Sequence, residues 1–161
     1  MNDLSKNAKI VQDALGRYGL EDSVIELPDS TRTAEEAAQA IGCQIGQIVK
    51  SLIFKTKRKE VPILALTSGA NRVDERKIEN QIGEPLGKAN ADFVRSATGF
   101  SIGGVPPIGL INKVPTYIDQ DLMLYDVVWA AAGTPNAVFR INPTELKRIT
   151  QAIVCDLKKE L

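Results

Sequence analysis

Apolar residues recur at helical spacing through "LSKNAKIVQDALGRY" (residues 4–18), where Leu4, Ala8, Val11, Ala14, Leu15 and Tyr18 share one face and Gly19 supplies a C-terminal stop. The pattern predicts an amphipathic surface helix. A short strand is expected at "SVIEL" (23–27), followed by a turn over Pro28 to Arg32. In "TAEEAAQAIG", Thr33 and Glu36 have the spacing of a capping box, so a second helix starts there and stops at the glycine.

Two β-rich runs, "IVKSLIFK" (48–55) and "VPILALT" (61–67), are joined by the charged "TKRKE" and predict a hairpin near the middle of a sheet. Helical patterns follow at "VDERKIENQI" (73–82) and "ANADFVRSATG" (89–99), each ending on glycine or just before it. Strands are expected at "KVPTYID" (113–119), "VVWAAA" (127–132) and "AVFRI" (137–141), and a final helix opens at Asn142-Pro143. Hairpins without strict βαβ alternation indicate an α/β chain of the α+β type, built on a mixed or mostly antiparallel sheet.

Length and composition fit this picture. The 161 residues suit one domain, since domains usually run to about 100–200 residues, and a single domain over 1–161 is expected. Basic and acidic residues balance at 20 each, so no global field draws the chain onto a polyanion, and any nucleic-acid contact must be a local patch. Cys43 and Cys155 form neither a CxxC pair nor a disulfide framework and fall on predicted helices or their ends. The opening "MNDLSKNAKIVQDAL" lacks a signal peptide's apolar core, so a cytoplasmic location is expected. No apolar run approaches the roughly 18 residues of a membrane-spanning helix, and no membrane partner is expected. Histidine is absent, which removes Ser-His and Cys-His nucleophile arrangements and the commonest zinc ligand. Neither a metal nor another cofactor is expected.

Within "IVKSLIFK", alternation puts Ile48, Lys50, Leu52 and Phe54 on one face, and Val49, Ser51, Ile53 and Lys55 on the other. Lys50 is the one polar residue of its face. Two readings stand open: its ammonium snorkels into water from the strand's start, or it faces a pocket. "FSIGGVPPIGL" (100–110) also has two readings. As structure it is an irregular connection shaped by glycine and proline. As function, its backbone admits a ligand closely and its free N–H groups donate to an anion or a developing oxyanion. "LTSGANRVD" (66–74) places Ser68, Gly69 and Asn71 just beyond a strand, in a site loop or a helix-entry turn. Asp119, Asp121 and Asp126 lack the EF-hand glycine and terminal glutamate, and serve turns and caps, with Asp119 placed to face a site at a strand end. The basic run "KTKRK" (55–59) reads as a solvated turn or a phosphate contact.

Taken in order, "TAEEAAQAIGCQIGQIVKSLIF", "ALTSGANRVDERKI", "GFSIGGVPPIGL", "VPTYIDQDL" and "VWAAAG" resemble the YbaK/EbsC family, which is similar to the editing domain inserted in bacterial prolyl-tRNA synthetases. The resemblance covers roughly residues 25–155. It implies a YbaK-like fold, a mixed sheet or partly closed barrel surrounded by helices, and hydrolysis of the ester joining a wrong amino acid to a tRNA 3′ end. The family's strand lysine falls on Lys50 and its GxxxP loop on Gly103 to Pro107, which makes Lys50, Gly103, Gly104 and Val105 the implied catalytic groups. Because prolines cannot donate, the loop's N–H groups come from Gly103, Gly104 and Val105. Ser51, Ser68, Gly69, Pro106, Pro107, Asp119 and Gly133 complete the implied substrate-binding set. Pro106 and Ile108 stand where members often carry serine and phenylalanine.

The implied partner is the acceptor end of a mischarged tRNA, tRNA(Pro) carrying a small residue such as cysteine or alanine, with prolyl-tRNA synthetase as a second candidate partner. In this family the vicinal hydroxyl of the terminal ribose is thought to assist, so a site without a side-chain base is implied. Two other readings remain: a non-catalytic module of the same fold that holds tRNA ends or a synthetase, and a hydrolase of smaller esters or amides.

Overall fold

In the computed structural model, which describes residues 4–20, 23–28, 31 and 33–160, a short polar side chain opens each α-helix. Ser5 accepts from Ala8 N–H ahead of α1 (Lys6–Gly16), and Thr33 accepts from Glu36 N–H ahead of α2 (Ala34–Ile41). Asp74, Asn90 and Asn142 do the same for α3 (Glu75–Ile82), α4 (Ala91–Thr98) and α5 (Pro143–Thr150). Each such cap is worth about 1 kcal/mol. α1 is shorter than its pattern predicts. Tyr18 and Gly19 donate to Leu15 and Gly16 carbonyls, tightening the last turn, so Tyr18 lies outside the helix and 45% exposed. The buried face is Ala8, Val11, Ala14 and Leu15. The turn expected over Pro28 to Arg32 falls largely outside the described residues.

The strands are β1 (Val24–Glu26), β2 (Ile48–Thr56), β3 (Pro62–Ser68), β4 (Leu86–Lys88), β5 (Thr116–Asp119), β6 (Val128–Ala131), β7 (Ala137–Ile141) and β8 (Ile153–Cys155). They form one mixed sheet in the order β1-β7-β6-β2-β3-β5-β8, with β4 also on β2. Four of its pairings are antiparallel; β2/β6, β3/β5 and β5/β8 are parallel. The expected hairpin is present at the centre, its turn closed by Thr56 N–H on the Val61 carbonyl and Val61 N–H on Thr56 Oγ1. Among the described residues the ladder is an open path rather than a closed barrel.

Two strands depart from expectation. β4 has three residues, too few to show an alternation. β8 follows α5 after Gln151, whose φ of 55° turns the chain back, so Cys155 lies in a strand rather than at a helix end.

Alternation along the central strands divides the core. Val49, Leu64, Leu66 and Ile118 face the larger core with Val11 and Leu15 of α1, Val94 of α4 and Leu146 of α5. On the other face Ile63, Ala65 and Tyr117 meet Ile78 of α3, while Ile48 meets Ala37 and Ala38 of α2. Each fully buried large aliphatic contributes about 1.5–3 kcal/mol. No helix among the described residues is long and apolar enough to cross a membrane.

Candidate active site

The site begins as a break in hydrogen bonding along β2. Thr56 N–H donates to Val61 and Gly69 N–H to Ile48, so even-numbered residues of β2 bond to β3 and odd-numbered ones turn their N–H and C=O to the other edge. β6 meets that edge at Ile48 and Val49, and β4 meets it at Phe54 to Thr56. Between them Ser51 and Ile53 have no strand partner on that side among the described residues. A cavity of about 540 Å³ opens there, and Lys50, Ser51, Gly69, Gly103 and Val105 all line it.

Lys50 is half-buried, and its ammonium donates to the Asn71 carbonyl at 2.5 Å. An ammonium has three donors, so donors remain for a ligand. Burial pushes the Lys50 pKa below its ordinary value; nearby Arg72 pushes the same way and Asp119 opposes them. Thr67 of β3 lies directly opposite Lys50, and its buried Oγ1 has no hydrogen-bond partner among the described residues. Ser51 Oγ is likewise buried without a partner, at the cavity wall.

Asp119 and Ser68 are buried and do not line the cavity. Asp119 Oδ2 accepts from Ser68 N–H at 3.1 Å and from Asn71 Nδ2 at 2.8 Å, and Oδ1 accepts from Asp121 N–H at 2.9 Å. Ser68 Oγ donates to the Gly46 carbonyl at 2.8 Å. Their side chains fasten the loop that presents Asn71 to Lys50. Parallel pairing of β3 with β5 brings this about, since Asp119 ends one strand beside the end of the other. Gly69 does line the cavity. A Cβ there would lie 2.5 Å from the Ile45 carbonyl oxygen, so only glycine fits the close approach.

In the glycine-proline loop, Gly103 has φ of 90° and lies exposed. Gly104 N–H donates to the Ser101 carbonyl at 3.0 Å, closing a turn. Of the three N–H groups that the sequence offers, this one is therefore occupied, which leaves Gly103 and Val105. Pro106 and Pro107 are buried behind the loop and do not line the cavity. Gly133 also stands behind it. Its carbonyl accepts from Asn7 Nδ2 at 3.3 Å, and a Cβ built on Gly104 would come within 3.5 Å of that same carbonyl.

Among the lining residues that escape the sequence reading are Arg72, Trp129 and Glu35. Arg72 directly follows the Asn71 loop, Trp129 lies in an otherwise aliphatic strand, and Glu35, exposed on α2, is the one carboxylate of the lining among the described residues. Conversely, the basic run 55–59 lies at the hairpin turn and does not line the cavity; Lys55 pairs with Glu60 at 3.7 Å and rests over the Phe93 ring. The arrangement therefore presents cations and backbone donors to a ligand that carries negative charge or develops it.

The family model described as the aminoacyl-tRNA editing domain matches residues 28–149. YwhH of Bacillus subtilis (strain 168) is 31% identical over 142 residues, 88% of this chain and 90% of that protein. EbsC of Enterococcus faecalis, described as a candidate Cys-tRNA(Pro)/Cys-tRNA(Cys) deacylase, is 25% identical over 119 residues, 73% of this chain and 72% of that protein. A crystal structure described as that of a candidate trans-editing enzyme for prolyl tRNA synthetase superposes with a TM-score of 0.92 at 50% identity, covering 98% of this chain and all of that one. Sequence and fold agree: the chain belongs to the aminoacyl-tRNA editing domain family.

Proposed function

We propose that the protein is a free-standing deacylase that hydrolyses the ester of a mischarged aminoacyl-tRNA, with tRNA(Pro) carrying cysteine or alanine as its substrate. The observation that carries this reading is that Lys50, Gly103 and Val105 line one cavity, where β2 lacks a strand partner among the described residues. The relative EbsC, named for Cys-tRNA(Pro), supports the choice of ester. Prolyl-tRNA synthetase is the proposed protein partner, in keeping with the description of the solved relative.

An aminoacyl ester is already activated, so the site has chiefly to position it and stabilise the oxygen that turns negative. Water attacks the carbonyl carbon, and the carbonyl electron pair moves onto oxygen, where Gly103 and Val105 N–H donate to it. Collapse breaks the bond between that carbon and the ribose oxygen. The proton lost by water ends on the ribose oxygen, relayed by the vicinal hydroxyl, leaving free amino acid and an uncharged 3′ end. Lys50 holds the substrate carbonyl or the terminal phosphate with the donors not spent on Asn71.

Release of labelled amino acid from a panel of correctly and incorrectly charged tRNAs, by wild type, Lys50→Ala and Glu35→Gln, tests the reading. Wild type and Glu35→Gln are expected to cleave Cys-tRNA(Pro) or Ala-tRNA(Pro), and Lys50→Ala to fail while its circular dichroism is unchanged. Trp129 is the single tryptophan and lines the cavity, so its emission reports binding directly. If uncharged tRNA shifts that emission and no ester is cleaved, the protein is a binding module. Cleavage of small esters without competition by uncharged tRNA would point to a different substrate.

A further inference from the structure

A second hollow of about 690 Å³ adjoins the cavity and shares Arg72 with it; Asn71, Lys158, Lys159 and Glu160 also line it. Arg72 and Lys159 are exposed and form no ion pair among the described residues. Lys158 stands 3.5 Å from Asp121, a loose pair at the surface. The backbone fixes Arg72 opposite Lys159, with Lys158 the adjoining position of the same short ladder. Lys159 N–H donates to the Arg72 carbonyl at 2.7 Å, Asp74 N–H to the Leu157 carbonyl at 2.8 Å, and Val73 bridges Lys158. Leu157 is fully buried and anchors the segment.

The acidic neighbours are each engaged by a lysine, Asp121 loosely by Lys158, and Asp156 and Glu160 by Lys77. Lys77 binds Asp156 at 2.8 Å and Glu160 at 3.0 Å, and also donates to the Lys158 carbonyl. One lysine of α3 thus takes up both carboxylates of the tail. Among the described residues Arg72 and Lys159 are left exposed without a carboxylate, and Lys158 is held only by its loose contact with Asp121, in a protein whose net charge is zero.

We infer that Arg72, Lys158 and Lys159 form a track for the phosphates of the RNA strand that leads away from the cavity. This rests on the deacylase reading for the identity of the RNA, an acceptor strand ending in the cavity. Phosphate contacts position a strand without reading its sequence. The track therefore supplies grip and register, while the cavity judges the amino acid.

Binding of a fluorescently labelled, uncharged acceptor-stem minihelix is measured by anisotropy across a salt series, for wild type, Lys158→Ala/Lys159→Ala and Lys158→Arg/Lys159→Arg. We expect the alanine pair to bind about tenfold more weakly at low salt, with a slope of log Kd against log salt flatter by about 1.4–1.8, since each of the two lost contacts removes about 0.7–0.9. The arginine pair restores both. Equal affinity and slope for wild type and the alanine pair, or no binding by wild type, overturns the track. Deacylation of 3′-aminoacyl-adenosine, which carries no phosphate strand, separates the two ideas. Wild-type hydrolysis of it with an insensitive minihelix slope leaves the deacylase standing and the track fallen. A lysine-dependent slope with no hydrolysis of any charged RNA leaves the track standing and the deacylase fallen.

Discussion

The Lys50 ammonium is held by the backbone carbonyl of Asn71, and the Asn71 side chain is held in turn by buried Asp119. A carboxylate in the core, joined by that of Asp121, therefore sets the position of a cation at the cavity wall. Asp119→Ala strands the N–H groups of Ser68 and Asp121 and leaves the Asn71 amide held by Asp121 Oδ2 alone, at 2.8 Å. We expect a loss of about 3 kcal/mol in urea denaturation. Asn71→Ala keeps the carbonyl but frees its loop, and should cost about 1 kcal/mol while lowering kcat/KM for the charged RNA at least tenfold, worth about 1.4 kcal/mol. An Asp119→Ala variant as stable as wild type would refute the arrangement.

The Lys50 pKa gives a pH signature. Burial first, and Arg72 second, lower it from 10.5, so the ammonium is lost at a pH below that of an exposed lysine. Activity that needs the cation falls on an alkaline limb, after subtraction of uncatalysed ester hydrolysis. Arg72→Ala should move that limb upward. The same shift acts on folding with a definite sign. The unfolded chain holds this proton more tightly, so the penalty is complete below the folded pKa and is relieved as pH rises toward 10.5. Lys50→Met removes that rise in stability with pH; a pH-rate limb indifferent to Arg72→Ala would count against the assignment.

The three glycines around the loop should respond in order. Gly133 has φ of 91°, and a Cβ there would meet Phe100 at 2.9 Å and the Asn7 carbonyl oxygen at 3.0 Å, so Gly133→Ala combines strain with overlap. It should cost about 3 kcal/mol or more. Gly103 has φ of 90° but open space, so Gly103→Ala costs about 1–2 kcal/mol with a larger fall in rate. Gly104 has ordinary φ and room for a methyl group, with its nearest contact at 3.5 Å, so Gly104→Ala should be nearly neutral in stability. Thermal melts and single-turnover deacylation rank all three; equal losses of rate and stability at Gly103 would sink the backbone-donor role.

Much of this was legible from the chain alone because it rests on local patterns. Thr33 and Asn142 mark their helices by chemistry that needs no neighbour, and the alternation around Lys50 fixes which side chains share its face. What stayed hidden depends on distant partners. Ser68 and Asp119 are separated along the chain by fifty-one positions, and only the β3/β5 pairing shows that they bond to each other rather than face the cavity. The occupied N–H of Gly104 is a turn bond that glycine content does not announce. β4 and β8 are three residues each and owe their form to the strands they join.

The interrupted edge of β2 has a consequence for self-association. An uncovered strand edge is a template on which another chain can add, and proteins usually blunt such edges. Here β4 and β6 stand as bookends, and among the described residues only Ser51 and Ile53 present outward backbone between them. Two residues are too short a template for a foreign strand, yet they leave width enough for a small molecule. The same spacing that makes room for a ligand thus keeps the central strand from seeding aggregation, and lengthening either bookend would seal the opening.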